Sequence, residues 1–401
     1  MNQRFSKKLL SLVCAIAMLL SICAVSGLAE GTAFAGGSGT ADDPYQVTTA
    51  EQLQVIAENL SASYVLTADI DLSGVTSWSP IGTLVPDASD AEGETPDAAY
   101  AFTGTFDGQG HVISNLNTVG TDVSGGLFGT VANTTISNVT FENLNVEGNM
   151  MVAAIGYAYC STLDNVDVNG AKVHGVLGTV MEGGAAGMVA ALVGAGMDSI
   201  IQNCDVKNVE MTVDSVAEAA SVGANFSNIG ILGGGLEGCS MSNCTVSGSS
   251  FTADGAYGYG VGALSGCLMS AEYFRDCTVS DTTITMGDYA DLTGGAVGYT
   301  GLSTEGATDV ANIVTSNVIV NAGANSTRIG GAIGGPFYFD MYAEYYPNPT
   351  RFNLTNCATD GAVNAGEGST SVGTVVGYTY QSVSENITST MEGEMIGTAA
   401  E

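Results

Sequence analysis

Few side chains in this sequence belong to the types that carry chemistry at neutral pH. There are two histidines, His111 and His174, and no His-Glu-x-x-His string that could seat a catalytic zinc. His111 ends the turn-like run Asp107-Gly108-Gln109-Gly110-His111, where a structural role is the simpler assignment. Serine and aspartate are plentiful, yet no nucleophile-elbow sequence supports a Ser-His-Asp constellation. Carboxylates dominate instead, with 41 Asp and Glu against 8 Lys and Arg. Asp69 and Asp71 flank Ile70 and would project from one face of a strand. Such a pair could act as acid and base on a sugar if one pKa were raised beside a groove. A structural or ion-binding role is the expectation. A lyase for acidic polysaccharide would need Arg or Lys beside the reacting group, and past residue 35 only Lys172, Lys207, Arg275, Arg328 and Arg351 remain. Neither an EF-hand loop nor a Gly-Gly-x-Gly-x-Asp array occurs, so no cofactor is expected, although so many oxygen ligands leave calcium open. No catalytic residue is assigned, and the chain is expected not to be an enzyme.

The strongest binding signal is aromatic. Phe337, Tyr338, Phe339, Tyr342, Tyr345 and Tyr346 crowd ten residues, with Asp340 and Glu344 among them, in a chain only 7% aromatic. Exposed rings at this density suit stacking on sugars or gripping a protein surface. The alternative is a loop that folds back as a lateral cover. These six aromatics are the candidate ligand-binding residues.

A repeat must position them. Gly129 precedes Asn138 by nine residues, and the same gap separates Gly156 from Asn165, Gly194 from Asn203, Gly234 from Asn243 and Gly377 from Asn386. Three more copies fit with insertions: Gly-Ala-Leu-Ser at 262–265 leading to Asp276, Gly298 to Asn317, and Gly334 to Asn356. The aromatic segment fills the last of these gaps. An apolar residue stands two before the Asn or Asp in most copies (Ile136, Leu163, Ile201, Met241, Phe274, Leu354), and alternation such as Asn138-Val139-Thr140-Phe141 marks a half-buried strand. Short strands with one apolar face cannot bury it alone, so the copies must stack. With 55 glycines a helical stack is disfavoured, since each costs about 1 kcal/mol inside a helix. The expected fold is all-β, a solenoid of the parallel β-helix type. Cys204, Cys244, Cys277 and Cys357 directly follow the repeated Asn or Asp and should form an internal ladder of small side chains. A Cys204–Cys244 or Cys244–Cys277 bridge would lie within reach.

Gly126-Leu127-Phe128-Gly129 resembles the GLUG motif, and later copies vary it as Ala-Ala-Ile-Gly (153–156), Gly-Ala-Val-Gly (295–298), Gly-Ala-Ile-Gly (331–334) and Thr-Val-Val-Gly (374–377). The resemblance covers roughly residues 36 to 390. It implies a right-handed, pectin-lyase-like parallel β-helix of the kind found in large extracellular bacterial proteins. These include adhesin-like proteins and the non-catalytic parts of IgA-protease-type metallopeptidases. The motif speaks for architecture rather than activity.

The remaining segments fit that plan. Arg4, Lys7 and Lys8 precede an apolar run that ends near Ala33-Phe34-Ala35, the pattern of a secretory signal peptide over 1–35. Residues 36–118 read as an N-terminal cap and first coils, 119–390 as repeats and 391–401 as a tail without a sorting motif. In the cap, Thr48-Thr49-Ala50-Glu51 opens a short helix with Leu53, Ile56, Ala57 and Leu60 on one face. The acidic stretch between Pro86 and Ala99 reads as a mobile loop. Without residues 1–35 the chain keeps 40 acids against 5 bases, a balance that excludes nucleic acid and anionic membranes as partners. The expected protein is secreted or at the cell surface and adhesin-like, binding an extracellular glycan or a host or microbial surface protein through lateral loops. A glycoside hydrolase on the same scaffold and a passive spacer are the alternatives.

Overall fold

The computed structural model describes residues 33–90, 95–119, 126–148, 151–176, 185–214, 225–254, 259–301, 307–336, 351–380 and 383–398. Most of the expected signal peptide and the final residues of the tail lie outside them. The described chain is all-β apart from one short α-helix and a 3-10 turn, with its strands in three sheets of 17, 7 and 7 strands. We call these sheets 1, 2 and 3.

The six copies from Met151 to Ala365 visit the sheets in the same order. Asp291–Gly294 lies in sheet 3, a two-residue corner follows, Val297–Gly301 lies in sheet 2, and Thr308–Ala322 runs along sheet 1. The next copy repeats the path with Thr327–Gly330, Ile333–Pro336, and then Phe352–Thr355 with Ala358–Ala365. Equivalent residues pair in parallel register, Thr293 with Ile329, Val297 with Ile333 and Val310 with Leu354. The corners stack as well: Ala296 N–H donates to the Ala332 carbonyl at 2.8 Å, and Ala332 N–H to that of Val375 at 2.8 Å. Backbone groups at the bends are thus satisfied by the neighbouring copy.

The glycine motif explains itself at this corner. Its second residue points into the core: Leu127, Ala154, Leu192, Leu232, Leu264, Ala296, Ala332 and Val375 are all at most 1% exposed. Its last glycine is where backbones meet. A Cβ on Gly234 would stand 2.3 Å from the Gly194 carbonyl oxygen, and one on Gly298 2.4 Å from both the Gly266 oxygen and the Val261 nitrogen. Only glycine lets sheet 2 lie this close to its neighbours. One alignment needs correction, because Gly233 pairs with Ser265 and Gly235 with Cys267. Gly266 therefore holds the motif's final position, and Ser265 sits one place earlier. The column also extends past the eight expected copies, to the Gly82 oxygen facing Gly129 and to Gly397 facing the Gly377 oxygen.

The repeated Asn marks a bend in sheet 1. Asn138, Asn165, Asn203, Asn243, Asp276, Asn356 and Asn386 all have φ between 51° and 56°, the left-handed region that Asn and Asp tolerate best. Their amides form a ladder: Asn165 donates to Asn138 at 3.0 Å, Asn243 to Asn203 at 3.2 Å and Asn386 to Asn356 at 3.1 Å. For the copy of Gly298 the ladder residue is Asn312, not Asn317, since Asn312 donates to Asp276 at 2.7 Å and accepts from Asn356 at 3.2 Å. Asn317 belongs to a second left-handed column five residues on, with Asn143, Asn208 and Asp281.

At the N-terminal end, helix Ala50–Val55 starts at Thr49, whose hydroxyl accepts from Gln52 N–H at 3.3 Å. Leu53 and Ile56 are fully buried, but the α-helix stops before Ile56, and the 3-10 turn that follows leaves Ala57 exposed rather than on the apolar face. Rings of Phe34, Tyr45, Tyr64, Phe102 and Phe128 pack in succession beneath it, at 4.5 to 6.2 Å between centroids. The acidic stretch after Pro86 is tied at its base: Asp87 N–H donates to Thr95 O at 2.8 Å and Asp97 N–H to Val85 O at 2.6 Å. Pro86 and Pro96 face each other antiparallel at this base, and residues 91–94 of the expected mobile loop lie outside the described residues.

Candidate functional site

The six aromatics Phe337, Tyr338, Phe339, Tyr342, Tyr345 and Tyr346 lie outside the described residues. Their segment joins Ile333–Pro336 of sheet 2 to Phe352–Thr355 of sheet 1. That is the same corner at which other copies pass between these sheets within a few residues, as at Cys160 and Ser161.

The outward face of sheet 1 gathers chemistry that the linear sequence disperses. Counting from the ladder Asn, outward side chains fall two, four, seven and nine residues on. In the copies of Asn138, Asn165 and Asn203, these positions bring together Glu142, Glu147, Asp167, Lys172, His174, Asp205, Lys207 and Glu210. Three of the chain's few basic or imidazole groups thus share one face with five acids. Asp205 N–H donates to Asp167 Oδ1 at 2.8 Å, and Thr245 Oγ1 donates to Asp205 at 2.6 Å. Burial, helped by the neighbouring Asp205 charge, raises the Asp167 carboxyl above the usual carboxylate range. This grouping escaped sequence reasoning because equivalent positions in its three copies are 27 and 38 residues apart; counting outward positions from each ladder Asn would have found it. In the next three copies the same positions, from Thr245 to Asn321, hold Thr, Ser, Val, Ile and Asn only.

Asp69 and Asp71 do share an exposed face, but both are held as carboxylates. Asp69 accepts from Val112 N–H at 3.0 Å and lies 2.9 Å from His111 Nδ1, contacts that lower its pKa. Asn115 and Ser73 do the same for Asp71. Neither is the proton donor that sugar hydrolysis requires. Among the described residues, no group of three His, Cys, Asp or Glu is arranged to hold a metal ion.

Cys204, Cys244, Cys277 and Cys357 are fully buried inside the fold, and all seven described thiols are free. Burial and the adjacent Cys244 hold the Cys204 thiol well above its ordinary pKa, and burial, with the nearby Asp198 and Glu237 charges, pushes Cys239 up to about 12. Such thiols act as small core side chains rather than nucleophiles. Cys160 alone is exposed, at a corner with φ 45°.

No family model matches the chain. Halomucin from Haloquadratum walsbyi is 37% identical over 170 residues, which is 39% of this chain and 2% of that protein. A protein of Evansella cellulosilytica described as a Gly-rich membrane protein is 31% identical over 172 residues, 40% of this chain and 18% of that protein. The chain therefore corresponds to a small part of either relative. Among solved structures, a Bacteroides ovatus protein described as an immunoglobulin A1 protease aligns at 18% identity and a TM-score of 0.46, covering 89% of this chain and 86% of that one. Another, described as an IgA1 protease, aligns at 16% identity and a TM-score of 0.45, covering 86% of this chain and 21% of that one.

Proposed function

We propose that the chain is a secreted or surface-displayed, non-catalytic binding protein of adhesin-like character, built as a right-handed parallel β-helix of GLUG repeats. The supporting observation is the division of labour within each copy. The glycine corner and the Asn ladder keep fixed register through every copy, whereas sequence and length vary on the outward face of sheet 1 and at the corners. A rigid column carrying variable loops is a scaffold for recognition. Likeness to a halomucin and to a membrane protein supports a place at or outside the cell surface. The 40 acids left after signal removal favour a neutral or cationic ligand, and the aromatics of 337–346 are the leading contact residues.

The test is a glycan and surface-protein binding screen with the secreted chain, with and without calcium, against Tyr342→Ala/Tyr345→Ala/Tyr346→Ala. Binding that the triple variant loses while keeping its thermal stability supports the reading. A stable variant that binds as well as the parent contradicts it.

A glycoside hydrolase is the second reading, favoured by the raised Asp167 carboxyl beside Asp205. Release of reducing ends that disappears in Asp167→Asn would establish it in place of the first.

A further inference from the structure

His174 sits near the end of strand Thr162–Val176, between two carboxylates from the neighbouring copies. Its Nδ1 lies 3.1 Å from Glu147 Oε2 near the end of Thr135–Gly148, and its Nε2 lies 3.1 Å from Asp214 Oδ1 at the end of Asp205–Asp214. A neutral imidazole has one N–H and one lone pair, so it can donate to only one of these acids. Satisfying both requires the imidazolium. We propose that Glu147, His174 and Asp214 form an acid-strengthened latch that ties three consecutive copies together where sheet 1 ends.

The surroundings favour that role. The preceding strand also brings Glu142, and the following strand brings Glu210 opposite Lys172, which lies two residues before His174. The sheet 3 strands next to this end, Met151–Val152 and Ala185–Val189, contribute no ionisable group. Among the described residues this sets one imidazole with four carboxylates and one lysine, so the field at His174 is negative and favours the cation. The Glu147 and Asp214 hydrogen bonds raise its pKa against the opposing pull of burial. Deprotonation turns one ring nitrogen into a lone pair facing a carboxylate, so the latch repels where it had attracted. Because the latched pKa is raised, the stabilisation is complete below the ordinary histidine value of about 6.5 and is lost as pH rises through the latched value.

The test is an NMR titration of the two histidines in the secreted chain, with His111→Gln identifying the second resonance. Hydrogen exchange at residues 172–176 and 210–214 is followed over the same pH range. The latch predicts that His174 titrates above 6.5 and that Glu147→Gln and Asp214→Asn each bring it down. After correction for intrinsic exchange, opening should rise up to tenfold per pH unit between about 6.5 and the latched pKa, then level off. His174→Gln, which retains an amide for hydrogen bonding, should abolish that slope. Titration of His174 at or below 6.5, or the same slope in His174→Gln, overturns the proposal.

Discussion

Replacing Gly298 by alanine probes the contact that sets the spacing of the sheets. The added methyl would lie 2.4 Å from the Gly266 oxygen, 2.4 Å from the Val261 nitrogen and 2.6 Å from the Gly260 carbonyl carbon. All three are backbone atoms, so no rotamer change relieves the clash and the sheets must separate. Overpacking of this kind costs about 3 kcal/mol, at the upper end of the usual range. Alanine also restricts the unfolded chain, which returns roughly 0.5 to 1 kcal/mol, leaving a net loss of about 2 kcal/mol. Gly74 is the control, since a Cβ there meets nothing within 4 Å. Gly74→Ala should leave stability unchanged or raise it by up to about 1 kcal/mol. Urea unfolding followed by circular dichroism compares the midpoints, provided the slopes match the parent. If Gly298→Ala and Gly74→Ala unfold within about 0.5 kcal/mol of each other, the close approach at the glycine column is wrong.

Other consequences can be checked in the same way. Asn312→Ala should cost about 2 kcal/mol through its left-handed backbone and two lost ladder bonds, and Asn312→Gly roughly half of that, in chemical denaturation. Arg328 and Asp291 form a bidentate pair across sheet 3, with side chains 17% and 21% exposed. Arg328→Ala should therefore cost about 1 to 2 kcal/mol, less than a fully enclosed pair, and salt should soften the effect only slightly. Asp69 and Asp71 have lowered folded pKa values, so their contribution is present above the unfolded value of 3.8 and is lost as pH falls through the folded values. Asp69→Asn and Asp71→Asn should flatten the acid limb of a stability–pH profile by lowering its neutral part, while the most acidic end stays where the parent has it.

Much of the architecture was legible because it depends on spacing. The nine-residue gap from Gly129 to Asn138 recurs since both residues occupy backbone positions that few others tolerate, one for lack of space and one for its positive φ. The apolar positions two before the Asn were equally readable: Ile136, Leu163, Ile201, Met241 and Phe274 are all fully buried. Insertions defeated the count. In the copy of Gly298 extra residues precede the strand, and Asn317, a member of the second left-handed column, stood in for Asn312. The charged face around Asp167 and His174 was illegible for another reason. Its members come together only through stacking, and nothing local distinguishes Lys207 from any solvated lysine.

The fold rests on consecutive copies stacking one strand apart along a single column. Thr140 and Thr388 occupy the same outward position seven steps apart, through Asp167, Asp205, Thr245, Thr278, Val314 and Ala358. At ~4.8 Å per step their α-carbons should be about 34 Å apart. Pulsed electron-spin measurement with labels at these two sites, attached by a chemistry that spares the exposed Cys160, reads this directly. A single narrow distance near 34 Å, allowing for label length, is the predicted result. A distance below about 25 Å, or a broad distribution, would contradict the stacked column.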